Sequence, residues 1–257
     1  MTRKVLKNKP LVEAIFELRW NLQEPAPGMK MDQHYKLLIG RIYDKLNDEY
    51  SFYEQLPTAI MPDEMMGYMV QYRFRKEKDK WPLIQIGPGI ITVNDTEGYV
   101  WGDFEKRIIQ AVNTLFEVYP ESKTNLKVNR LLLRYIDAIA FDFEKDDIFT
   151  FLREQVKIKI NLYQDLFKDI RVEKLPLGLD LKFSFASTKP KGAIHLRFVR
   201  GKTKVYNALI LETRVESVSE DAPKVQNKIA DWVKEAHNLA DDWFFKLIEG
   251  DLLRRFE

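Results

Sequence analysis

Apolar and polar residues alternate along LVEAIFELRW, with Val12, Ala14, Phe16, Leu18 and Trp20 on one side of the period and Glu13, Ile15, Glu17 and Arg19 on the other. A period of two predicts a strand with one buried face. QEPAPGMK, with two prolines and a glycine, ends it. From Asp32, a candidate N-cap, Tyr35, Leu38, Ile39, Ile42, Tyr43 and Leu46 recur at helical spacing as far as Tyr50. SFYEQLPTAIMPDEMMG reads as a loop, and residues 68–75 and 83–93 read as strands joined by a charged KEKDK turn. Inside the second of these, Gly87-Pro88-Gly89 predicts a bulge or sharp bend. Residues 94–98 are turn-like. A helix then places Phe104, Ile108, Val112, Leu115 and Phe116 on one face until Pro120 stops it.

The second half opens on the most apolar stretch of the chain, VNRLLLRYIDAIAFDF, which predicts a strand over 129–142. A helix follows from about Asp146, with Ile148, Phe149, Leu152 and Val156 on its apolar face. Residues 158–176 connect it to three strands at 178–186, 193–200 and 205–215. A long helix from about Ala222 closes the chain, its Val225, Ile229, Trp232, Ala236, Leu239 and Trp243 forming a heptad-like seam.

The order strand, helix, strands, helix thus occurs twice, and the two passes align at a shift of 124 residues, the interval from Val12 to Ile136. That shift sets Val12-Glu13-Ala14-Ile15 on Ile136-Asp137-Ala138-Ile139, and Tyr72-Arg73-Phe74 on Leu196-Arg197-Phe198. It also sets Ile108, Val112, Leu115 and Tyr119 on Trp232, Ala236, Leu239 and Trp243. The expectation is an α+β fold of two tandem strand-helix-strands-helix repeats, residues 1–125 and 126–257. Each would be an antiparallel sheet covered by a long helix, and a pseudo-twofold axis would pair the two sheets edge to edge or pack them face to face, either way with a central groove. The competing account is that apolar periodicity alone aligns any two α+β halves.

Composition narrows the chemistry. The 257 residues, 45% apolar and 31% charged, carry a formal charge of only +2, so nothing global calls for nucleic acid or an anionic membrane. The chain has no cysteine, which excludes disulfides, thiolate nucleophiles and cysteine-ligated zinc. MTRKVLKNKP is basic but lacks the apolar run of a signal peptide, and no stretch approaches about 18 apolar residues. A cytoplasmic protein without membrane association is expected.

KPLVEAIFELRW, WPLIQIGPGIITVN followed by Tyr99 and Trp101, and RYIDAI at 134–139 together resemble a sporadically distributed family of uncharacterised bacterial proteins of about this length. The resemblance covers nearly the whole chain and implies no activity. The family's patchy distribution is similar to that of mobile or defence-associated genes, which implies a role in conflict with phage or plasmids. Leu132 stands where the family pattern has a small residue two before the Arg-Tyr pair.

Catalytic signatures are missing: there is no G-x-S-x-G, H-E-x-x-H, Walker or kinase pattern. His34, His195 and His237 lie in three different elements, so no metal or other cofactor is expected. Gly87-Pro88-Gly89 is a strand kink rather than a phosphate loop, because Pro88 removes a donor. Arg134, Tyr135 and Asp137 are the sharper feature. Tyr135 and Asp137 share a strand face with Leu131, Leu133 and Ile139, and Arg134 lies on the other with Leu132, Ile136 and Ala138. A lone charge in an apolar row needs a partner or a solvated groove. Arg19, Glu13 and Glu17 are the partners that the first strand offers, so the group is either an ion-pair lock between two central strands or a ligand-reading groove. Arg73 and Arg197 open two basic segments, 73–80 and 197–204, expected on equivalent hairpins with Phe74, Trp81, Phe198 and Tyr206 nearby. Such a pair could straddle a nucleic-acid backbone, or be solvated tips that discourage edge pairing.

The leading expectation is a non-enzymatic binding or regulatory module in a defence or toxin-control system. It would engage a protein partner or small ligand through Arg19, Arg134, Tyr135, Asp137, Arg73 and Arg197. One alternative is a metal-dependent hydrolase or nuclease in which at least two of Asp137, Glu13 and Glu17 converge. Nucleic-acid binding is the other. The seam of the last helix also permits a homodimer.

Overall fold

Strands β1 (Leu11–Trp20) and β6 (Val128–Ala140), the two that organise the sequence, lie side by side at the centre of one sheet. The computed structural model describes residues 6–62, 65–96, 98–120, 126–168 and 172–257. The basic lead at 1–5 and the repeat boundary drawn at residue 125 fall outside them. Around the centre are β2 (Phe52–Gln55), β3 (Tyr72–Arg75), β4 (Leu83–Gly87), β5 (Ile90–Asp95), β7 (Asp180–Thr188), β8 (Lys191–Lys202) and β9 (Asn207–Val218). The order is β2-β3-β4-β5-β1-β6-β9-β8-β7, and neighbours run antiparallel.

The expected two tandem strand-helix-strands-helix repeats, each with its own helix-covered sheet, are therefore corrected. The chain builds one nine-stranded sheet. The cause lies in the two central strands: Phe16 opposite Leu133 and Leu18 opposite Leu131 continue one apolar face across the join. The 124-residue register fails as well. Tyr72 to Phe74 lie in β3, three strands out from β1, whereas Leu196 to Phe198 lie in β8, two out from β6. A period of two superposes any two half-buried strands, so that alignment matched non-equivalent ones. The two basic segments occupy non-equivalent hairpins for the same reason.

Helices α1 (Tyr35–Leu46), α2 (Trp101–Val118), α3 (Ile148–Glu154), α4 (Gln226–Leu247) and α5 (Asp251–Phe256) pack on the apolar face. The main core joins Phe16, Leu18 and Trp20 to Leu38 and Ile42 of α1, Ile108 and Leu115 of α2, and Trp232 and Ala236 of α4. It draws on both halves of the chain. A second cluster joins Ile148 and Leu152 of α3 to Leu209 and Leu211 of β9 and Leu252 of α5.

Three local differences have plain causes. Asp32 does not cap α1; its carboxylate accepts from the Trp20 indole at 2.8 Å and from the His34 backbone, and the helix starts three residues later. The stretch read as a loop contains β2, a short edge strand. The kink at Gly87-Pro88-Gly89 is a hairpin turn that splits the expected long strand into β4 and β5. Residues 68–71 run beside this turn, with the Tyr68 and Gln71 amides donating to the Pro88 and Ile86 carbonyls. A Cβ at Gly87 would stand 1.8 Å from the Met69 carbonyl oxygen, which is why only glycine fits.

Candidate functional site

The two faces of the sheet treat the charged residues differently. On the face turned away from the helices, ion pairs cross β1, β6 and β9. Arg130 meets Glu216 at 2.7 Å and Glu17 at 3.6 Å, Arg134 meets Glu212 at 2.6 Å, and Arg19 meets Glu17 at 2.7 Å. Arg19 also lies over the Tyr68 ring. Arg73 donates to Gln85 at 2.7 Å, and Arg197 grips Asp180 with two hydrogen bonds of 2.9 Å. Four of the six expected site residues are thus held by side chains of their own sheet. The partner of Arg134 comes from β9, not from β1 as expected.

Ser184 of β7 stands opposite His195 of β8 on this face, with Glu216 of β9 diagonal to the histidine. Ser184 Oγ and His195 Nδ1 share a hydrogen bond of 2.7 Å, and His195 Nε2 stands 3.8 Å from Glu216. The order is that of a nucleophile, a base and an orienting acid, yet Glu216 is committed to Arg130 and the β8 and β9 amides are tied up in their ladders. A flat sheet face of this kind offers no oxyanion pocket.

Tyr135 and Asp137 point the other way, toward the helices. They border a cavity of about 230 Å³ between the centre of the sheet, the start of α2, the middle of α4 and the segment from Leu6 to Leu11. Aromatic side chains dominate its wall: Tyr99, Trp101, Tyr135, Phe244 and Phe245. Trp101 stacks on His237 of α4 with ring centroids 3.6 Å apart. The Tyr135 hydroxyl shares a 2.8 Å hydrogen bond with His237 Nδ1 and one of 3.2 Å with the Tyr99 hydroxyl.

Asp137 is only 4% exposed, and its carboxyl makes no hydrogen bond or ion pair among the described residues. The register explains this. Its direct neighbours across the sheet are Leu11 on β1 and Leu211 on β9. Burial therefore acts uncompensated and pushes the carboxyl up to about 7. Thr213 of β9, opposite Tyr135 and hence diagonal to Asp137, also lines the cavity, and its buried hydroxyl has no hydrogen-bond partner among the described residues. Thus a mostly apolar box has one unused carboxyl on its wall and an unpartnered, almost fully buried hydroxyl beside it, a composition usual for a small-ligand site.

Glu13 and Glu17 lie on the opposite face of the sheet from Asp137, so the convergence of acids required by a hydrolase is not present. Among the described residues no three histidine or acidic side chains gather as a metal site. A larger depression of about 770 Å³ near α3 carries Asp142, Glu144, Asp146, Asp147 and Glu154. Two of its acids already have local roles: Asp147 caps α3, and Asp142 accepts from the Glu144 amide.

Sequence reasoning reached Tyr135 and Asp137 but missed Thr213, Trp101 and His237. His237 carried a usable signal, because it follows Val233 and precedes Ala240 on the stripe that α4 buries. Thr213 carried none, since threonine is ordinary in a strand. Among the described residues no helix is long and apolar enough to cross a membrane. No family model matches the chain, and no curated protein matches it.

Proposed function

We propose that the protein is a non-enzymatic, cytoplasmic binding module that takes a small ligand, or one side chain of a partner protein, into the cavity bordered by Tyr135 and Asp137. The observation that carries this is the Asp137 carboxyl, buried with no partner in a space large enough for an occupant. A buried polar group left unsatisfied costs about 1–3 kcal/mol, more when charged, and an occupant that satisfies it recovers that cost. The cavity is smaller than the roughly 300 Å³ at which drug-sized sites begin, so the occupant is small. The resemblance to a sporadically distributed bacterial family fits a sensing role in defence or toxin control, where occupancy would set the state of another component.

A fragment library read by ligand-observed NMR tests the proposal. Several fragments should bind with Kd below about 1 mM, a binding free energy of about 4 kcal/mol or more. Gly102 borders the cavity, and a Cβ added there meets nothing within 4 Å, so Gly102→Phe can obstruct the rim without disturbing the fold. Binding should be lost in that variant. If no fragment binds, or if hits are indifferent to both Gly102→Phe and Asp137→Leu, the site is not a binding site.

A further inference from the structure

Resting on that reading, we propose that the occupant is a small primary ammonium ion on an apolar body, held by the Asp137 carboxylate as counter-charge and by the Thr213 hydroxyl. An anion would set a like charge beside Asp137. Lys9 does not reverse this: it is exposed at the rim, and its Nζ donates to the Tyr99 carbonyl. A purely apolar occupant would leave the carboxyl buried with nothing. A neutral alcohol supplies one hydrogen bond and no charge. An ammonium group supplies both, with three N–H donors for the carboxylate oxygens and Thr213 Oγ1.

The walls favour the same class independently. Trp101, Tyr135 and Phe244 surround the space, and aromatic faces attract cations most strongly where water is absent. Apolar edges from Leu6 and Leu11 leave room for the ligand's hydrocarbon part. Burial raises the affinity of Asp137 for a proton, and an arriving cation replaces that proton as the compensating charge.

Titration calorimetry on the full chain at pH 8 with three matched probes tests this: 2-phenylethylamine, 2-phenylethanol and phenylacetate. The amine should bind at least about 10-fold more tightly than the alcohol, and the anion should not bind. Asp137→Asn should bring the amine-to-alcohol ratio close to one while the alcohol still binds. Thr213→Val should reduce amine affinity several-fold, with the folded state of both variants checked by circular dichroism. If the alcohol binds as tightly as the amine, or the preference survives Asp137→Asn, the ammonium assignment is overturned while the cavity remains a ligand site. If none of the probes binds and the fragment screen is also empty, both fail.

Discussion

Asp137 stands between Leu11 and Leu211 with no partner for its carboxyl among the described residues, and this makes stability depend on pH in an unusual direction. Burial raises its pKa from 3.8 to about 7. Below about pH 4 the group is protonated both folded and unfolded. Between there and about pH 7 the unfolded chain releases the proton and the folded chain keeps it, so stability falls as pH rises and the loss is complete above 7. At about 1.4 kcal/mol per pH unit the ligand-free protein loses roughly 4 kcal/mol across that window. Asp137→Asn has no such group. Its stability relative to the parent should therefore increase from pH 4.5 to pH 7.5, measured as the difference in urea unfolding free energy at each pH. A difference that does not change with pH would show that the carboxyl is already compensated. The sequence placed Asp137 on an apolar strand face correctly, since strand periodicity assigns faces. It could not show whether a partner waits on that face, because the neighbours opposite Asp137 are chosen by a register involving Leu11, 126 residues earlier, and Leu211, 74 residues later. Arg134 illustrates the same limit, pairing with Glu212 where β1 was expected to supply the acid.

Among the elements, two glycines respond to the same substitution with opposite signs. Gly40 lies in the middle of α1, exposed, and a Cβ there meets nothing within 4 Å. Gly40→Ala should stabilise the protein by about 0.5–1 kcal/mol through helix propensity and reduced unfolded-state entropy. At Gly87 the added Cβ would meet backbone, the Met69 carbonyl oxygen, and neither partner can rotate away. Gly87→Ala should cost about 1–3 kcal/mol and loosen residues 68–71 from the β4–β5 turn. Thermal unfolding of the two variants checks the signs, and hydrogen exchange of the Tyr68 and Gln71 amides checks the location. Protection unchanged at those amides would mean that this contact does not hold the segment. The elements themselves were largely legible, because helical and strand periods are local properties of sequence. Edge strand β2 was not: four residues, FYEQ, are too few to establish a period.

At the scale of the molecule, one continuous sheet limits what a half-chain can do. β6 is bonded to β1 along nearly its whole length, and the main core needs residues from both sides of the midpoint, including Phe16, Ile108, Leu133 and Trp232. A fragment of residues 126–257 would turn β6 into an open edge, an arrangement that invites association. It would also remove α2, whose Trp101 packs on His237 of α4. A fragment of 1–125 would lose α4 from the same core. The strand order nonetheless keeps each fragment's strands contiguous, β2-β3-β4-β5-β1 and β6-β9-β8-β7, so the pieces share a single seam. Neither fragment should fold alone, and mixing them should restore a 1:1 complex with the secondary structure of the intact chain. Far-ultraviolet circular dichroism and limited proteolysis of each fragment, separately and mixed, decide the matter. A cooperative thermal transition in residues 126–257 alone would show that the seam joins two self-sufficient units. Loss of ligand binding in both fragments and its return on mixing would place the site where Leu11, Trp101, Asp137 and His237 meet, since two of these come from each fragment.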